Sequence, residues 1–88
     1  EKDGRPNNTD HQKLCVEIAS LYTLTNREKD ILILLADRYN SNDIAEKLVL
    51  SVHTVKTHMK NLYAKLGVHS QKDLIALVES LNDGKPLF

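Results

Sequence analysis

The sequence predicts an all-α fold: a compact four-helix domain preceded by a leading helix, with no strands. Three observations point there. Glycine and proline are scarce, at 3 and 2 of 88 residues, while the good helix formers Leu, Ala, Lys and Glu are common. Apolar residues recur at steps of three and four rather than in alternation. Capping residues stand just ahead of these periodic runs. A chain of this length builds one small domain with a modest core.

Glu1 to Thr9 (EKDGRPNNT) is polar, holds Gly4 and Pro6, and has no periodicity. Residues 1–9 are therefore expected to be a linker from a missing upstream domain, and a start at Glu1 rather than Met fits a fragment of a longer protein. Residues 10–23 read as a leading helix capped by Asp10, with Leu14, Ile18 and Leu21 on one side and Cys15, Ala19 and Tyr22 beside them. The main domain is expected over 24–82. Thr25 as N-cap, with Glu28 at the third helical position, makes a capping box. The helix it opens carries Ile31, Leu32, Leu34 and Leu35 and should fade near Tyr39.

Asn40-Ser41-Asn42 is a turn, with Ser41 or Asn42 as the cap of a short helix that buries Ile44, Ala45 and Leu48. Ser51 caps a longer helix, and Gly67 stops it in the left-handed conformation. Ser70 caps the last helix, where Asp73 suits the first turn. That helix offers Leu74, Ile75, Leu77, Val78 and Leu81, a wider apolar set than a small core requires. Either all five are buried in the monomer or part of the face meets a second copy. Ile75, Leu77, Val78 and Leu81 are thus dimerisation candidates. Residues 83–88 remain as a C-terminal tail.

The helix from Ser51 to Leu66 (SVHTVKTHMKNLYAKL) is the most telling element. Val55, Met59, Leu62 and Leu66 make one apolar stripe, and His53, Lys56, Thr57 and Lys60 make a polar one. Short helix, tight turn and longer basic helix is a layout that can lay one helix in a DNA major groove while another braces it. The net charge of zero argues against this at first, but the charge is unevenly placed. Residues 1–46 are net −3, the stretch Lys47–Lys72 is +5 with no acid, and the rest is −2. Such a window is an electrostatic footprint for a polyanion, although a solvated lysine face would give the same run.

Enzyme chemistry finds no foothold. His11, His53, His58 and His69 lack metal-ligand spacing, and Gly4, Gly67 and Gly84 form no phosphate loop. No Ser–His–acid set can be placed on a pocket. No catalytic residue, metal, cofactor or small-molecule ligand is therefore expected. The single Cys15 cannot form an internal disulfide and fits a reducing interior. No apolar run approaches the roughly 20 residues of a membrane span, and no signal peptide is present, so the expected location is cytoplasmic.

From Leu24 to about Ser80 the chain resembles the helix-turn-helix domain of LuxR-type, or GerE-like, bacterial transcription regulators. The resemblance rests on Leu24-Thr25-x-Arg27-Glu28, Ile44-Ala45-Glu46-x-Leu48, Ser51-x-x-Thr54-Val55-Lys56-x-His58 and Lys65-Leu66-Gly67-Val68-x-Ser70, in the family's order and spacing. It implies a C-terminal output domain that binds double-stranded DNA, with the helix near 52–66 in the major groove and the last helix pairing two copies. Carried over residue by residue, it puts base reading on Lys56, Thr57 and Lys60. It puts phosphate contacts on Ser51, Thr54 and Lys65, to which His53 and His58 are added by their place on the helix.

Two departures from the family pattern stand out: Arg38 where glycine usually ends a helix, and Gln71 where arginine often follows the serine cap. The first suggests a reshaped joint or an added phosphate contact, the second a lost salt bridge. The leading helix, with Cys15-x-x-Ile18-Ala19-x-x-Tyr22, resembles a subgroup in which the domain often follows a membrane-embedded region. RNA polymerase is a further partner to consider. The rival readings are the promoter-reading domain of a sigma factor and a helical protein-interaction module without DNA binding.

Overall fold

The computed structural model describes residues 7–82, with side chains from 12 to 81. Its elements are α1 (Asn7–Leu21), α2 (Asn26–Ala36), α3 (Ser41–Leu48), α4 (Val52–Leu66) and α5 (Gln71–Asn82), and the described residues contain no strand. The fold is therefore all-helical, as the periodicity requires. Helix α1 begins at Asn7, ahead of Asp10, so positions 7–9 are helical; residues 1–6 and the tail 83–88 lie outside the described residues.

The helix starts follow from local chemistry. The Thr25 hydroxyl accepts the Glu28 amide at 3.1 Å, and the Glu28 carboxylate accepts the Thr25 amide at 3.0 Å, completing the capping box. Ser51 accepts the Thr54 amide at 3.0 Å, and Ser70 accepts the Asp73 amide at 3.2 Å. At α3 the cap is Asn40, neither Ser41 nor Asn42, because its side-chain oxygen accepts the Asp43 amide at 2.8 Å.

The helix ends share one device. Thr23, Arg38, Val49 and Gly67 take positive φ values of 57°, 72°, 57° and 72° after α1, α2, α3 and α4. In each case the next amide reaches back five residues, Leu24 to Ala19, Tyr39 to Leu34, Leu50 to Ala45 and Val68 to Tyr63, at 2.9–3.1 Å. This is the Schellman closure, which satisfies carbonyls the helix leaves open. It ends α2 at Ala36, earlier than the apolar pattern suggested. Arg38 does not reshape the joint; it adopts the glycine conformation itself, at a cost of about 1 kcal/mol. Its guanidinium, expected as a possible phosphate contact, instead pairs with Glu79 at 2.9 Å. Gln71 ties the start of α5 to the end of α2 with two hydrogen bonds, its amide donating to Leu35 O at 3.1 Å and Tyr39 O at 2.8 Å.

The core lies where α2 packs on α4 and α5, with α1 laid over α2 and α5 and α3 held against α4. Cys15, Ile18, Ile31, Leu32, Leu35, Ile44, Val55, Leu62, Leu74 and Val78 are fully enclosed. Burial pushes the Cys15 thiol up to about 11, which keeps it an unreactive packing group. The leading helix is rotated from its expected setting. It buries Cys15, Ile18 and Ala19, while Leu21 is 76% exposed and Tyr22 also faces outward.

Candidate nucleic-acid interface

Helix α4 is held by Val55, Leu62 and Leu66 in the core, which turns the opposite side of the helix to solvent. His53, Lys56, Thr57 and Lys60 are all exposed there. Among the described residues the ion pairs engage Arg27, Arg38 and Lys65, and not Lys56 or Lys60. Lys56 and Lys60 also line a shallow groove of about 740 Å3 together with Met59, Tyr63 and Val68.

The hydroxyls of the first turns differ in what they have left to offer. Ser51 Oγ accepts the Thr54 amide and donates its own hydrogen to Thr54 Oγ1 at 2.9 Å. Its donor is spent, whereas the Thr54 hydroxyl keeps its hydrogen for an anion beside the helix N-terminus. Thr57 donates to its own helix at His53 O, 3.1 Å away, which leaves its methyl as the group it presents. His53 is exposed and His58 half-buried.

Lys65, expected as a phosphate contact, is a different case, because the fold already holds its ammonium. Its ammonium donates to Glu28 Oε1 at 2.8 Å and to Thr23 O at 3.4 Å. The Glu28 side chain is 5% exposed, so this cation neutralises a buried carboxylate. Burial pushes that carboxyl's pKa up. The hydrogen bonds from Lys65 and Thr25, with the charge of Lys65, more than offset it and hold the group below its ordinary value. Lys47 is also drawn to the protein, its ammonium 4.8 Å from the centre of the Tyr39 ring. The uniform lysine window is thus divided, and its free charge on α4 rests with Lys56 and Lys60.

Asn61 adds an exposed amide beside this row. It is exposed four positions after Thr57, on the same side of the helix. An asparagine there has the donor and acceptor pair that fits an adenine edge, and the same spacing that selected Lys60 would have found it.

The apolar face of α5 also narrows. Val78 is 1% exposed and packs in the core, so it is withdrawn as a pairing residue. Ile75 is half-buried beside Arg38 and Gln71, at the end of α2. Leu77 is half-buried and Leu81 is 43% exposed. These two leucines lie one turn apart on the other flank.

Among the described residues no group of His, Cys, Asp and Glu could hold a metal ion, and no helix is long and apolar enough to cross a membrane. The family described as bacterial regulatory proteins, luxR family, matches residues 22–78. The chain is 48% identical over 65 residues to the uncharacterized response regulatory protein YgeK of Escherichia coli K12, covering 69% of this chain and 44% of that protein. It is 44% identical over 62 residues to the probable transcriptional regulatory protein SgaR of Hyphomicrobium methylovorum, covering 70% and 29% of the two. With the fimbriae Z protein of Escherichia coli K12 it shares 41% over 63 residues, or 72% and 30%. The chain therefore spans less than half the length of these relatives. No solved structure matches it significantly.

Proposed function

The chain belongs to the luxR family of bacterial regulatory proteins, and on that premise we propose that it is a sequence-specific DNA-binding module that controls transcription. In this reading α4 enters the major groove, braced by α3. Lys56 and Lys60 donate to guanine edges or phosphates, the Thr57 methyl meets a thymine methyl, and Asn61 extends the row toward the next base. Thr54 donates to a phosphate at the helix N-terminus. The observation that carries the reading is the exposed row on α4, whose two lysines have no acidic partner among the described residues. The family match and the regulators among the relatives favour it over the sigma-factor alternative.

Two copies pair on adjoining half-sites about 34 Å apart, through a patch built on Leu77 and Leu81 of α5. Helix α1 carries the domain on the end of a longer regulator, which acts in the cytoplasm. RNA polymerase is the machinery that its binding influences.

Fluorescence anisotropy on random and promoter-derived duplexes across a salt series tests this reading. If Lys56 and Lys60 are the cationic contacts, log affinity against log salt should have a slope of about −2 per protomer, against about −4.5 if all five lysines of the window took part. No binding at low salt would overturn the proposal and leave the protein-interaction module.

A further inference from the structure

Thr57 stands in the exposed row of α4, between Lys56 and Lys60. Its hydroxyl is already engaged. It donates to His53 O, one turn back, at 3.1 Å, and a hydroxyl has a single hydrogen to give. What Thr57 still offers a neighbour is a methyl group and oxygen lone pairs. It has no donor left.

Thymine and cytosine differ in the major groove at two places. Thymine carries a C5 methyl group and the O4 acceptor, whereas cytosine has a bare C5 and the N4 amino donor. A free threonine hydroxyl would favour thymine by donating to O4. Thr57 lacks that means, because its hydrogen is spent on His53 O. Its remaining lone pair does not exclude cytosine either, since it can accept from the N4 amino group. Only the C5 methyl is left to discriminate. We propose that Thr57 reads the C5 methyl of a pyrimidine and not the identity of the base. A 5-methylcytosine is then accepted where thymine is, and binding responds to cytosine C5 methylation of the site. A methyltransferase acting there changes affinity without changing the sequence. The inference rests on the DNA-binding reading above.

The test measures anisotropy of the intact regulator on a duplex selected for its binding. Thymines are replaced one at a time by uracil, and cytosines one at a time by 5-methylcytosine, so that each exchange alters only the C5 methyl. At one position the methyl should tighten binding roughly four-fold, the worth of one buried methyl group. There the gain should be the same for uracil to thymine opposite adenine and for cytosine to 5-methylcytosine opposite guanine. Thr57→Val keeps a methyl without the hydroxyl and should retain the gain. Thr57→Ser keeps the hydroxyl without the methyl and should lose it. The residue is exposed, so neither exchange touches the core. A gain that Thr57→Ser retains, or that Thr57→Val loses, overturns the inference. So does a gain confined to thymine, or a bound duplex in which no position responds to the methyl. A wild-type regulator that binds no duplex overturns the underlying reading instead.

Discussion

Lys56 and Lys60 in the body of α4 and Lys65 in its last turn are one residue type on one helix, yet they do different work. The first two face solvent on the side opposite the core, with no acidic partner among the described residues. The third docks on the buried carboxylate of Glu28, closing α4 onto the start of α2. The difference shows that a run of like charge is not a single surface. A lysine near a low-dielectric carboxylate is drawn into the fold, and only those turned from the core remain for a polyanion.

The sharpest way to break this contrast is Lys65→Met. Removing one partner strands a carboxylate that is 5% exposed, while Lys65 itself is 37% exposed, so the loss should be about 2 kcal/mol, below that of a fully buried pair. Urea unfolding measures it. The salt slope for DNA should stay as in the wild type; a flatter slope would return Lys65 to the interface.

The same pair carries a pH signature. Glu28 is held below its ordinary value of 4.5, so the unfolded chain binds its proton more readily. Its contribution to stability is full above about pH 4.5 and lost as pH falls through the folded value. In Lys65→Met, burial and the Thr25 hydrogen bonds remain while the hydrogen bond and charge of Lys65 are lost, so the carboxyl's value should rise and the stability lost on acidification should shrink. Urea titrations from acid to neutral pH compare the two slopes, and parallel curves would show that Lys65 does not govern Glu28.

On the free side, Lys60→Ala should leave stability nearly unchanged and weaken binding to the preferred duplex by about 1–3 kcal/mol if it reads a base. Anisotropy on matched and mismatched sites measures the change in preference. An equal loss on all sequences, with the salt slope reduced by about one, would make it a phosphate contact.

The smallest effect is expected at Arg38→Gly. Relief of the left-handed strain, about 1 kcal/mol, opposes loss of an exposed ion pair worth about 0–1 kcal/mol, giving a slight net gain by thermal unfolding. A clear loss would mean that the Glu79 pair anchors α5.

Much of the fold was legible because its signals are local. The boxes at Thr25 and Glu28, the Ser51 and Ser70 caps and the Gly67 stop act over three or four residues, within reach of the backbone they satisfy. The exposed row on α4 was legible for the same reason, since burying Val55, Leu62 and Leu66 turns Lys56, Thr57 and Lys60 outward. Asn61 obeys the same rule and is exposed beside them.

What the chain determined by itself was therefore helical periodicity, most helix starts and the polar face of α4, all consequences of neighbours on a 3.6-residue repeat. Tertiary structure decided how α1 is rotated, which apolar residues of α5 are sealed, and that Arg38 and Val49 accept a conformation glycine would take freely. It also decided that Lys65 serves Glu28, 37 residues away along the chain. Those outcomes depend on which helix faces are brought together and how far each is shielded from water, and packing sets both.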